Sequence, residues 1–231
     1  MSRSARNGAL AWHARPAHEL LRLAWPIALS MLSFSLMQAV DTLFVGHIGA
    51  AALSGVSLGG MATFSLLCFG LGALRACKIA VAQAVGAGRQ RADIAYLGAA
   101  LWIALAVGIA TALLGQGLAL ALPSIAATAQ SGHYASVYAS LRLAAAPIVL
   151  LAAALRETRQ GAGDTRGPMR AALIANLVNA LLVALFLHTF GWGVIGVAWA
   201  TTIAQVVELA LLAWLQSAQG FGVRGCRAAD L

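Results

Sequence analysis

The chain has 231 residues, of which 61% are hydrophobic and 10% charged, with a formal net charge of +8. A soluble domain carries roughly 25% charged residues, so this composition excludes an ordinary water-soluble protein and indicates a membrane protein. The basic surplus sits in short segments flanking apolar runs rather than in one dense face, which argues for membrane topology and against nucleic-acid binding.

A hydrocarbon core about 30 Å thick needs on the order of 20 apolar residues per helical crossing. The first apolar run, Ala24 to Val45, meets that length and contains one ionised side chain, Asp41. It is too long for a signal-peptide core of 7–15 residues and lacks a small-residue cleavage site. Ile94 to Leu141 and Ala171 to Val207 contain no Lys, Arg, Asp or Glu and are long enough for more than one crossing each. Turn signals at Gly46-His47-Ile48-Gly49, Gly86-Ala87-Gly88, Pro123-Ser124, Gly161-Ala162-Gly163 and Gly191-Trp192-Gly193 divide the chain into six helices. The expected helices span about 23–45, 51–74, 94–121, 134–155, 169–189 and 194–216. The fold class is therefore all-α, a six-helix transmembrane lobe over 23–216, between an amino-terminal segment 1–22 and a tail 217–231.

Charge orients these helices, because cytoplasmic loops carry excess Lys and Arg. Arg3, Arg6, Arg15 and Arg22 precede the first helix, and Arg75, Lys78, Arg89 and Arg91 are expected between the second and third. Arg156, Arg159, Arg166 and Arg170 surround the fourth-to-fifth connection, and Arg224 and Arg227 follow the sixth. All fall on one side, which places both termini in the cytoplasm; the remaining cation, Arg142, lies within the fourth span.

Conventional chemistry finds little support. Cys68, Cys77 and Cys226 are too few for a disulfide framework and read as packing residues. His13, His18, His47, His133 and His188 are scattered without metal-ligand spacing, so no metal site is expected. The glycine-rich turns lack the Lys and strand context of a phosphate loop, and Ser131-Gly132-His133 lacks a third orienting group, so no enzyme is expected. Gly55 and Gly59 have the GxxxG spacing that lets helices approach closely.

Polar groups inside the spans remain. On the first helix Pro26, Ser30, Ser33, Met37 and Asp41 step by three and four along one face, with Gln38 on an adjoining row. Pro26 removes a backbone hydrogen bond and predicts a kink. Asn176 and Asn179 lie three apart on the fifth helix; Thr201, Gln205 and Glu208 step by four and three on the sixth. A pocket bounded by the first, fifth and sixth helices would gather a carboxylate, amides and a hydroxyl, suited to a hard monovalent ion or a proton. At about 1.5 Å per residue, Asp41 and Thr201 both fall in the outer half of the membrane and Glu208 lies nearer the cytoplasm.

Plainer readings stand beside these. In these, Asp41 simply ends the first helix at the interface, Asn176 and Asn179 serve as interhelical hydrogen-bonding residues, and Glu208 is a paired or snorkelling acid. For Arg142 the plain reading is a bundle-facing cation bonded to backbone carbonyls or an acid, beside a role on a substrate path.

Several stretches resemble the multidrug and toxic compound extrusion (MATE) transporters, and more closely their DNA-damage-inducible-F-like branch. They are Leu23-Ala24-Trp25-Pro26 continuing to Val40-Asp41-Thr42-Leu43-Phe44-Val45-Gly46-His47-Ile48-Gly49, and Val81-Ala82-Gln83-Ala84-Val85-Gly86-Ala87-Gly88. Further along come Tyr138, Arg142 and Pro147, then Gly161-Ala162-Gly163-Asp164-Thr165 with Pro168, and Gly193-Val194-Ile195-Gly196-Val197-Ala198-Trp199-Ala200-Thr201. The resemblance implies a secondary antiporter that exports cationic or amphipathic small molecules against inward proton or sodium flow, without a cofactor. It implies Asp41 as the proton or cation site, Asn179 and Thr201 as its completing partners, and Pro26 as the helix hinge; the polar residues Gln38, Asn176 and Gln205, read from their place in the spans, are candidates for cavity lining. Val183 stands where the sodium-binding pattern has a second acid, which favours proton coupling. Such transporters have two six-helix lobes, and this chain carries the likeness of the first only. A second lobe or a second copy is the implied partner, in a bacterial inner membrane. The stretch after Leu215 departs from an inter-lobe linker, so the alternatives are a truncated or frameshifted, transport-inactive fragment or interaction protein. A relative of lipid-linked-precursor flippases is a further alternative, but only Arg142 supplies a basic group within the spans.

Overall fold

The computed structural model describes residues 16–89 and 92–219, and among these the regular structure is entirely helical. The helices are α1 (Pro16–Gly46), α2 (Ala50–Gly86), α3 (Ala92–Ile125), α4 (Ala129–Ala144), α5 (Ala146–Gly161), α6 (Arg166–His188) and α7 (Gly193–Gln219). The axes of α4 and α5 differ by 49° across Ala145; the other five helices are long and apolar enough to cross a membrane, and counting this bent pair as one span gives six among the described residues. Pro147 follows the break at the second position of α5, where a missing N–H costs no helical hydrogen bond. Arg3, Arg6, Arg15, Arg91, Arg224 and Arg227, with His13 and Cys226, lie outside the described residues.

Several expected boundaries move. The first helix starts at Pro16, well inside the expected amino-terminal segment 1–22, because Pro suits a first helical position and good helix formers follow it. The expected fourth helix, 134–155, is instead two helices over 129–161 that meet at Ala145. The second helix continues past Leu74 to Gly86, carrying Arg75 and Lys78 on helix rather than in a loop. Lys and Arg are good helix formers, and no Gly-Ala-Gly turn intervenes before Gly86. The third runs through Pro123 to Ile125 instead of breaking there. The break comes at Thr128, whose hydroxyl accepts from Ser131 N (3.1 Å) while Ser131 Oγ accepts from Thr128 N (3.2 Å), a capping box that starts α4. Between α6 and α7 the turn is set by Gly191 and Gly193 at φ 64° and 56°, a region that side-chain-bearing residues rarely enter.

The spans pack through small residues. A Cβ on Gly108 would lie 2.6 Å from Pro147 Cα, and one on Gly161 would lie 2.6 Å from the Lys78 carbonyl, so α5 sits directly on α3 and α2. Leu67, Leu74, Ala100, Ala104, Ala146 and Leu150 fill the contact among α2, α3 and α5. Met37, Ala175 and Ala204 join α1, α6 and α7, of which α7 is the most deeply buried span. Leu43, Met61, Phe69, Trp102, Leu113, Leu120 and Leu181 project outward, as expected where lipid rather than water surrounds the bundle. Cys68, expected as a packing residue, is exposed on α2, because its position falls on that outward face.

At the end of the bundle that carries the basic residues, α2, α5 and α7 are tied by ion pairs. Lys78 Nζ donates to Gln160 Oε1 (2.8 Å) and lies 3.5 Å from Glu157. Arg159 pairs with Asp164 and donates to Gln216 Oε1 at 3.1 Å. Arg156 donates to Glu208 Oε1 at 2.8 Å, which accounts for Glu208 as a paired acid. Removing either member strands a largely buried charge. Arg156→Ala and Glu208→Ala are each expected to lower stability by roughly 1.5–3 kcal/mol, the range for a charge-assisted hydrogen bond. The swap R156E/E208R should recover most of that loss in a thermal melt of purified protein; a swap no better than the singles would show that the pair contributes nothing.

Candidate functional site

The predicted polar face of α1 is the face that α1 turns inward: Pro26, Ser30, Ser33, Met37 and Asp41 are all buried. The helix continues through Pro26, whose carbonyl accepts from Ser30 Oγ at 2.8 Å. Asp41 is 4% exposed and faces α6 and α7. Thr201 Oγ1 donates to Asp41 Oδ2 at 2.7 Å, and Asn179 Nδ2 donates to Asp41 Oδ1 at 3.3 Å and to Thr201 Oγ1 at 3.2 Å. Three residues from three helices, 160 positions apart at the extremes, thus close one small polar cluster. The reading of Asp41 as an acid that merely caps a helix at the interface does not describe this placement.

Thr201 has one hydroxyl proton and two acceptors in range, Asp41 Oδ2 and the Val197 carbonyl at 2.9 Å. With Asp41 ionised, the hydroxyl donates to the carboxylate. With Asp41 protonated, the acid donates to Thr201 Oγ1 and the hydroxyl turns to Val197. Both charge states therefore keep their hydrogen bonds with a rotation of one hydroxyl. Asn179 is fully buried, and the amide orientation that gives Nδ2 its two acceptors leaves Oδ1 without a partner. A rotated amide would instead turn that oxygen toward the cluster, the arrangement a bound cation would need. Val183, one turn further along α6, is fully buried among Val45, Val194 and Val197, so an apolar side chain fills the place of a second acid.

The other expected lining residues separate. Asn176 donates to Ser33 Oγ and to the Ala172 carbonyl (2.9 Å), so it ties α6 to α1 by an interhelical hydrogen bond. Ser33 lies eight residues before Asp41, about 12 Å along the helix, and this is why Asn176 does not join the acid. Gln205 accepts from Arg142 at 2.7 Å. Gln38 lines a narrow crevice between α1, α2 and α4 together with Gly60, Thr63, Phe64, Leu67, Tyr138 and Arg142. Arg142, expected to bond to backbone carbonyls or an acid, instead takes a side-chain amide oxygen. Its pairing with Gln205 is what sequence reasoning missed. The signal was present, since Gln205 is four residues after Thr201 and faces the same way.

Residues 26–185 match the MatE family. The chain belongs to that family. It is 33% identical over 208 residues to a probable multidrug resistance protein NorM of Bradyrhizobium diazoefficiens, covering 85% of this chain and 44% of the relative. It is 30% identical over 210 residues to Protein DETOXIFICATION 44, chloroplastic, of Arabidopsis thaliana, covering 85% and 40%. Among solved structures, MATE in the bent conformation superposes with a TM-score of 0.79 at 25% identity, covering 87% of this chain and 46% of the other. This MatE chain thus spans less than half the length of those relatives, and the family is one of transporters rather than enzymes.

Proposed function

We propose that the chain is the amino-terminal lobe of a secondary exporter that exchanges cationic or amphipathic small molecules for protons, with Asp41 carrying the proton. The observation that carries this reading is the closed cluster of Asp41, Asn179 and Thr201, in which a single hydroxyl rotation serves both protonation states. Both groups that face the acid donate hydrogen bonds to it, and Val183 supplies no second carboxylate to balance a metal cation, so the proton is preferred to sodium. Pro26 is assigned the hinge of α1. Apart from Arg142, the Lys and Arg residues flank the spans on one side, in keeping with cytoplasmic termini in a bacterial inner membrane. The partner is a second lobe facing the α1, α2 and α4 side, since repeat-built transporters hold substrate between repeats.

The test is ethidium movement in proteoliposomes under an imposed pH or sodium gradient, with the chain alone and with a second lobe co-reconstituted. The expected result is movement driven by the pH gradient when both lobes are present. Movement driven by sodium and indifferent to pH would overturn proton coupling, and no movement under either gradient would overturn export.

A further inference from the structure

Asp41 and Arg142 are both almost fully buried, 4% and 3% exposed, yet they do not form an ion pair. Each is held by α7 instead: Thr201 bonds the acid, and Gln205, one turn further along the same face, bonds the guanidinium. The two charges still sense each other electrostatically, and Tyr138, one turn from Arg142 on α4, lies within range of both. Among the described residues these are the titratable or charged groups at this point. From α6 and α7 the facing groups are the neutral Asn179, Thr201 and Gln205, and from α2 the neutral Thr63; Glu208, further along α7, is already paired with Arg156.

The crevice beside them gives the arrangement its direction. Its lining holds Arg142 but neither Asp41 nor any other acid, and Gln38 and Phe64 stand exposed at its mouth. A cation arriving there therefore meets aromatic faces and a guanidinium, while the compensating carboxylate stays behind. With Asp41 ionised, acid and base cancel, and the faces of Phe64 and Tyr138 favour a cation. With Asp41 neutralised, a fixed positive charge is left uncompensated in a medium that screens it poorly. Like charges brought together across an interface are strongly disfavoured.

The geometry points to Arg142, held by Gln205, as the residue that converts proton binding at Asp41 into expulsion of a cationic substrate. This rests on the export reading above and adds to it the means by which two ligands that never touch exclude one another. One proton binds Asp41 and the cation leaves the crevice; no covalent bond forms or breaks in the substrate, and Arg142 keeps its charge throughout.

The test is equilibrium binding of tetraphenylphosphonium to the full chain in nanodiscs, at alkaline and at mildly acidic pH. Wild type is expected to bind at least about tenfold more weakly in acid. Asp41→Asn, neutral at every pH, should bind weakly throughout, and D41N/R142Q should recover the tight binding. Arg142→Gln alone should bind in acid as tightly as wild type does at alkaline pH, and Arg142→Lys should keep the weak acid binding of wild type. Because Arg142→Gln could fold poorly, Gln205→Glu offers an independent arm, since it compensates the guanidinium in place and should likewise raise binding in acid to the alkaline wild-type level. A double variant as weak as Asp41→Asn, or a Gln205→Glu variant that binds in acid no more tightly than wild type, would overturn the role of Arg142. Failure of wild type to bind the cation at any pH would instead remove the export reading, and this inference with it.

Discussion

Asp41→Asn is expected to reduce pH-gradient-driven ethidium transport to background, a loss of at least about two orders of magnitude, with no loss of folded protein. The substitution keeps the shape of the side chain and deletes only its ability to exchange a proton. Asn179 Nδ2 still finds an acceptor in the new amide oxygen, and Thr201 Oγ1 accepts from the new amide nitrogen while its hydroxyl turns to Val197. The cluster therefore remains bonded. Holding an ionised acid within a span is costlier than holding its amide, so the variant should melt at or above the wild-type temperature. Loss of transport with equal or greater stability is the combination that separates a coupling acid from a structural one. Full pH-driven transport by the variant would end the assignment of Asp41, and a parallel collapse of expression would make it a structural residue.

How much of this was legible beforehand follows from which forces act locally. The inward face of α1 could be read because a lipid-exposed helix must turn its polar residues to the bundle, and the steps from Pro26 to Asp41 allow one such face. Meeting of Asp41 with Thr201 followed from depth counted along each helix, a quantity the sequence contains, whereas Asn179 was drawn to them by the family resemblance. Asn176 shows the limit of that argument. It shares a helix with Asn179, but a displacement of one turn is enough to give it Ser33 instead of the acid. The broken span at Ala145 was not legible, because no glycine marks it and Pro147 alone suits the start of a helix as well as its interruption. The partner of Arg142 was half legible: the spacing of Gln205 from Thr201 put it on the inward face of α7, but nothing within either helix tells that α4 lies against that face.

The largest structural effect is expected at Gly55. A Cβ there would lie 2.6 Å from the Ser131 carbonyl and 2.6 Å from Tyr134 Cβ, and at Gly59 one would lie 2.8 Å from the Ala135 carbonyl. The obstacles are backbone atoms and a Cβ, which cannot swing aside, so a larger residue separates α2 from α4. Inside a membrane no hydrophobic driving force recloses the gap, since lipid tails are as apolar as the side chains, and close packing is what holds such helices together. Gly55→Ala should cost about 1–3 kcal/mol, the usual range for overpacking, and Gly55→Leu should leave no cooperative melting transition. The control is Gly72→Leu on the same helix, where nothing lies within 4 Å and the added side chain meets lipid. It should melt like wild type or slightly higher, because glycine in a helix interior is unfavourable by up to about 1 kcal/mol relative to alanine. The two leucines thus carry identical chemistry to opposite faces of one helix. Equal melting temperatures for both would show that the α2–α4 contact does not hold the lobe together. Because α4 carries Tyr138 and Arg142, Gly55→Ala should also weaken tetraphenylphosphonium binding, linking a glycine that touches no polar group to the crevice it helps to shape.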